Sequence, residues 1–62
     1  MKTYVADDNE SKLIALRMFV RDGINNDAHK KTVRKFKIAR WDHGMWVITP
    51  EAKAHAESLG LL

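Results

Sequence analysis

Six cationic side chains are the residues of this sequence best suited to chemistry with a partner. They lie between Ala28 and Trp41, in a segment without any acidic residue: Lys30, Lys31, Arg34, Lys35, Lys37 and Arg40. The rest of the chain carries five basic and eight acidic residues, so a segment of charge +6 lies within a background of −3. Such an excess is typical of a surface that binds nucleic-acid phosphates; the alternative is an edge strand or helix face that lysines keep soluble.

Two tryptophans bracket a turn-like sequence directly after the basic segment. Asp42-His43-Gly44 suits a three-residue hairpin loop with glycine in the left-handed position, which would pair Trp41 with Met45. A two-residue loop of His43 and Gly44 would instead pair the two tryptophans and place Lys37 on the same face as Ile48. We favour the three-residue loop because it separates apolar from charged side chains better.

This register assigns the hairpin residues to two faces. The predicted core face contains Phe36, Ile38, Trp46 and Ile48. The predicted outer face contains Lys35, Lys37, Ala39, Trp41, Met45 and Val47. An exposed Trp-Met pair beside lysines is typical of a binding surface for protein or for stacked single-stranded bases, so Trp41, Met45 and Val47 are the predicted partner-binding residues.

The three histidines do not suggest a catalytic or metal site. His29, His43 and His55 are 14 and 12 residues apart, without cysteine or a carboxylate cluster that would complete a ligand set. His43 follows Asp42 and could act as an acid or base, but a turn tip excludes little water and offers no nucleophile. We therefore expect a noncatalytic protein with no metal, no cofactor and no small-molecule substrate.

The first predicted helix begins with Asp7 as its N-cap, has Glu10 three residues later, and ends at Gly23. Its apolar side chains form two arcs on a helical wheel. The wider arc contains Leu13, Leu16, Phe19 and Val20, and the narrower one contains Ile14 and Met18. A helix that is apolar on two sides is either sandwiched in the core or docked to a second copy, so a homodimer is one expectation.

The remaining elements complete an α+β prediction. Residues 27–34 form either a short basic helix capped by Asp27 or a loop, and a strand follows over residues 35–41. The last helix has Thr49 as its N-cap and Pro50 at its first position, and it ends at Gly60 and Leu61. A third strand over residues 2–5 is a further expectation.

The size and composition predict one small domain over residues 1–62. With 62 residues and no cysteine, the chain must be stabilised by packing or by a partner rather than by disulfides. No stretch has the apolar h-region of a signal peptide or the length of a membrane span. We expect a cytoplasmic protein without a membrane partner, in the host cytoplasm if it is viral.

The stretch G-M-W-V-I-T-P-E-A-K-A-H-A-E-S-L-G, residues 44–60, resembles the end of winged-helix domains, in particular the small phage-encoded winged-helix regulators of transcription. In that family a wing hairpin closes with an aromatic-x-apolar-Thr strand, and a helix follows. The resemblance implies a helix near residues 29–35 that faces the DNA groove, and wing residues 40–45 that reach the backbone or minor groove. The chain departs from the family in having fewer residues before the hairpin than three helices need.

Two functional hypotheses follow from these observations. The first is a nucleic-acid-binding regulator of transcription, with DNA favoured over RNA, whose six cations contact phosphates. The second is a protein-interaction module, such as a phage-encoded inhibitor that docks on a host enzyme through its exposed Trp-Met patch.

Overall fold

The computed structural model describes residues 3–62 as three helices and one two-stranded antiparallel hairpin. The elements are, in chain order, α1 (Glu10–Asp22), α2 (Asp27–Lys35), β1 (Ala39–Asp42), β2 (Met45–Ile48) and α3 (Pro50–Ser58). The predicted α+β class is confirmed. The segment over residues 27–34, which was open between helix and loop, is a helix.

The core lies where the three helices and the start of the hairpin meet. Its completely buried apolar side chains come from the three helices and from the turn before β1: Leu16, Val33, Ile38, Ala52 and Ala56. The two alanines of α3 leave room for the neighbouring elements to approach closely. Phe19, Val20, Trp46 and Ile48 pack around this centre and are partly buried.

The first two helices begin at different caps from those predicted. The side chain of Asn9 caps α1 by accepting from the Lys12 amide, whereas the Asp7 carboxylate accepts from the Asn9 amide at 3.0 Å and so lies before the helix. Asn26 rather than Asp27 caps α2, through the His29 amide at 2.8 Å. Asparagine is as good a cap as aspartate, so the pattern of residue types could not distinguish adjacent candidates. The predicted Thr49 cap of α3 is confirmed.

The prediction of a strand over residues 35–41 is wrong in its first half. The amides of Lys37 and Ile38 bond to the carbonyls of Arg34 and Val33, the hydrogen-bond pattern of a Schellman ending. This turn occupies residues 36–38, and β1 begins only at Ala39. Phe36 and Ile38 are buried as predicted, but they reach the core from the turn. The predicted ending of α3 at Gly60 and Leu61 is confirmed by the same bond pattern.

The hairpin loop has two residues, so the three-residue prediction is wrong. Trp41 pairs with Trp46, and Asp42 pairs with Met45. His43 and Gly44 both have positive φ, 49° and 83°, as the first and second central residues of a type I′ turn require. Because β1 begins at Ala39, the lysines before it do not need sorting onto a sheet face, and the reason for preferring the longer loop disappears.

The N-terminal segment does not form the predicted third strand in the part that the structure describes. Residues 3–6 have no strand structure, and Lys2 lies outside the described residues. Tyr4 is buried against the core instead.

Candidate nucleic-acid interface

A basic groove runs between α2 and the hairpin. It has a volume of about 490 Å³ and is lined by Lys30, Arg34, Lys37, Ala39, Arg40, Trp41 and Trp46. Four of these seven residues are cationic and none is acidic. The fold therefore gathers cations from a helix, a turn and a strand on one concave surface, which we call the basic groove.

The six predicted phosphate-binding residues separate into two groups. Lys30, Arg34 and Lys37 follow the spacing i, i+4, i+7 and line the groove with Arg40. Lys31 and Lys35 follow i, i+4 on the adjacent exposed face of α2 and do not line it. The ammonium of Lys35 lies 5.3 Å from the centre of the Phe36 ring.

Lys37 occupies a backbone conformation that disfavours a lysine. Its φ is 59°, in the left-handed region that costs an L-residue about 1–2 kcal/mol and that glycine occupies without this cost. The equivalent residue of α3 is Gly60, with φ 75°. Hydrogen bonds fix the Lys37 backbone on both sides, since its amide donates to Arg34 and its carbonyl accepts from the Thr49 hydroxyl at 2.8 Å. The turn thus holds a cation at the groove despite the strain.

The two tryptophans lie on the same face of the hairpin, which corrects the prediction of opposite faces. Their ring centres are 5.6 Å apart and the planes meet at 72°, an edge-to-face pair. Trp46 is partly buried against the core, whereas Trp41 is 63% exposed in the basic groove. Ala39, predicted on the outer face, is buried on this face with them.

The predicted partner-binding patch is divided between the two faces of the hairpin. Met45 and Val47 are exposed as predicted, but the register puts them on the face opposite Trp41, with Asp42 and with Arg40, which also borders the basic groove. The three residues therefore do not form one surface. The cause is again the two-residue turn, which shifts the pairing by one residue.

The three histidines lie in different parts of the fold and make different contacts. His29 is buried and holds α2 to α1 through a hydrogen bond between its Nε2 and the Ala15 carbonyl. His43 is exposed at the turn, 3.0 Å from Asp42. His55 bonds through Nδ1 to the Tyr4 hydroxyl. Within residues 3–62, no three His, Asp or Glu side chains come together as ligands for a metal ion.

Lys12, near the N-terminal end of α1, is a buried lysine whose burial was not predicted from the sequence. Lys12 is 1% exposed; its ammonium bonds to the Val5 carbonyl and lies 3.0 Å from the Asp7 carboxylate. It is also 5.2 Å from the Tyr4 ring centre and 5.5 Å from that of Phe36. The signal was present, since Lys12 precedes Leu16 by four residues and falls within the wider apolar arc, between Phe19 and Leu16. Its role is to hold the N-terminal segment against the helices.

This cluster changes the acidity of two groups. The hydrogen bond from the Asn9 amide, followed by that from Lys12, lowers the pKa of the Asp7 carboxyl below its ordinary 3.8. Burial, with a smaller contribution from the charge of Asp7, raises the pKa of the Tyr4 hydroxyl above its ordinary 10.0. Asp7 is thus ionised and Tyr4 neutral near pH 7.

Comparison with protein-family models, curated proteins and solved structures found no match to this chain. The described part of the chain has no helix that is both long and apolar enough to cross a membrane. The functional inference must therefore come from the basic groove.

Proposed function

We propose that this protein is a noncatalytic DNA-binding regulator that acts on transcription and holds a sugar-phosphate backbone in its basic groove. The observation that carries the proposal is the convergence of Lys30, Arg34, Lys37 and Arg40 from separate elements on one surface free of acids. Phosphate contacts of this kind supply most of the sequence-independent affinity of DNA-binding proteins. A strained lysine in the groove supports the same proposal, because departures from local preference are expected at functional sites.

The order of the elements supports a winged-helix-like mode of binding. The helices α1 and α2, joined by residues 23–26, precede the hairpin, and α3 follows it. In this proposal α2 lies in the major groove, which is wide enough to admit a helix, and the hairpin contacts the backbone beside it. The basic groove then receives the phosphate strand that runs between them.

The salt dependence of binding tests this proposal. Four phosphate contacts predict that log affinity for B-DNA falls with log salt with a slope of about 3.6, a loss of about 150-fold between 50 and 200 mM. The measurement is fluorescence anisotropy of a labelled duplex over that range. Absence of binding to any nucleic acid by micromolar protein at low salt would contradict the proposal.

A matched pair of double variants identifies the surface. Lys30→Ala with Arg34→Ala removes two groove cations, and Lys31→Ala with Lys35→Ala removes two cations from the adjacent face of the same helix. Both change the net charge equally, and alanine preserves helix propensity. We expect the groove variant to reduce the slope by about 1.8 and the control variant to change it less. A larger effect of the control would assign binding to the outer face.

A second candidate function, a protein-interaction module such as an inhibitor that docks on a host enzyme, is favoured by one observation. Met45 is 60% exposed and lies beside Val47, also exposed, on the hairpin face opposite Trp41. Exposed methionine is enriched in protein interfaces. Its test is capture of a partner after nuclease treatment, with loss of capture in Met45→Ala and retention in Trp41→Ala; the reverse result would contradict it.

A further inference from the structure

We infer that the basic groove holds single-stranded or locally opened DNA and that an unpaired base stacks on Trp41. This inference rests on the proposed function and specifies the ligand of the same site. The Trp41 indole is too exposed to be part of the core. Trp46 covers one side of Trp41 edge-to-face, and 63% of the Trp41 surface is open.

Within residues 3–62, no cation covers the open side of Trp41. Among residues 3–62 the cation-π contacts involve the rings of Tyr4 and Phe36, not those of the tryptophans. Lys30, Arg34, Lys37 and Arg40 line the same groove without capping the indole. The groove therefore combines a free aromatic surface with cations around it.

This combination fits a ligand that has both a flat aromatic ring and phosphates. Single-stranded nucleic acid has both, and grooves that bind it combine cations along the backbone with aromatic side chains under the bases. The groove volume of about 490 Å³ is also within the range of sites that hold small organic groups. A protein partner with acidic residues would pair with the cations but would not need the open indole.

A fully paired duplex cannot use Trp41 in this way. Its bases are stacked on each other, so only their edges are accessible in the grooves. Stacking on a side chain requires a base that has left the helix, which costs least where the strand is already unpaired. Trp41 therefore favours unpaired DNA, while the four cations contribute to the binding of any DNA backbone.

The experiment compares four labelled 12-nucleotide probes at one low salt concentration: a thymidine DNA strand, a DNA strand of equal charge in which the central sugars carry no base, a uridine RNA strand, and a mixed-sequence DNA duplex. We expect the thymidine strand to bind unmodified protein about 5- to 150-fold more tightly than the abasic strand, the contribution of one stacked base. Equal affinity for these two strands would overturn the inference. This comparison needs no variant.

Substitution at the indole gives a second, independent test. Trp41→Ala should weaken binding of the thymidine strand by the same 5- to 150-fold range and leave the abasic strand nearly unaffected, whereas Trp41→Phe should retain part of the preference. Leu62→Ala, which removes an exposed apolar side chain outside the hairpin and the basic groove, is the matched control and should change neither. Equal losses for both strands in Trp41→Ala would overturn stacking.

The outcomes separate this inference from the proposed function. If the duplex binds in a salt-dependent way but the thymidine and abasic strands bind equally, stacking is contradicted and the proposed function is not. Failure of every probe to bind would contradict both. Tighter binding of a uridine strand than of the thymidine strand would assign the groove to RNA and overturn the choice of DNA.

Discussion

Replacement of Lys37 by glycine should make the protein more stable and weaken its binding to DNA. Lys37 has a φ of 59° in the turn that ends α2, where glycine avoids a strain of about 1–2 kcal/mol. Glycine also costs about 0.5–1 kcal/mol because it gives the unfolded chain more freedom. The expected net gain in the free energy of unfolding is about 0.5–1 kcal/mol, or about 2–8 °C in Tm for a domain of this size.

The effect on binding should be separable from the effect on stability. Lys37 contributes one of the four groove cations, so its loss should reduce the salt slope for B-DNA by about 0.9. Lys37→Ala is the matched control, because it removes the same charge but keeps a Cβ in the left-handed conformation. It should weaken binding as much as Lys37→Gly does without the gain in stability.

Thermal and urea unfolding, together with anisotropy over a salt series, measure both effects. Gly60→Ala provides the reverse test at the equivalent position of α3, where a Cβ would meet no atom within 4 Å and backbone strain alone would act. The free energy of unfolding of Gly60→Ala should be lower by about 0.5–1 kcal/mol. If Lys37→Gly and Lys37→Ala prove equally stable, the strain argument is refuted. If neither changes the salt slope, Lys37 does not contact phosphate.

Three further predictions concern the turn and the buried lysine. His43→Asn should stabilise the hairpin by about 0.5 kcal/mol, because Asn-Gly is the preferred type I′ pair, and unchanged or lower stability in chemical unfolding would contradict the turn assignment. Because the pKa of Asp7 is lower in the folded than in the unfolded chain, its contribution to stability is present above about pH 4 and is lost as pH falls through the folded value. The free energy of unfolding, measured from pH 7 to pH 2, should therefore decrease less in Asp7→Asn than in the unmodified protein. Lys12→Ala should destabilise the protein by about 2–4 kcal/mol, since it leaves a cavity and the Val5 carbonyl without its partner, and Lys12→Met, which fills the space, should lose less in the same unfolding assay.

Both ends of α3 and the C-terminal end of α1 could be predicted from residue types, because caps and terminal glycines act locally, whereas the N-caps of α1 and α2 could not be distinguished from their neighbours. Thr49 with Pro50 and Gly60 with Leu61 specified α3 as the structure has it. The start of β1 could not be predicted in this way, since it depends on a left-handed turn at Lys37, where nothing in the residue type indicates positive φ. That one turn changed the strand boundary and removed the reason for a three-residue loop.

The candidate site followed from the sequence only as a set of cations. The spacing of Lys30, Arg34 and Lys37 indicates one face of α2, but spacing alone does not say that this face, rather than that of Lys31 and Lys35, lies against the hairpin. Tertiary packing decides it. The burial of Lys12 was indicated by its position within the apolar arc, and residue type alone was the wrong guide because a lysine is rarely buried.

Among residues 3–62 two non-glycine residues have positive φ, and both belong to the part of the molecule that carries the proposed function. Lys37 lies directly before β1 at the groove, and His43 lies at the tip of the hairpin whose paired tryptophans line it. Gly23 and Gly60 occupy the positive-φ positions at the ends of α1 and α3. A sequence that uses glycine at two helix ends and lysine at the third is consistent with selection for the charge at Lys37 at the expense of stability. The Lys37→Gly variant should reveal that exchange directly, as a protein that is more stable and binds DNA less tightly.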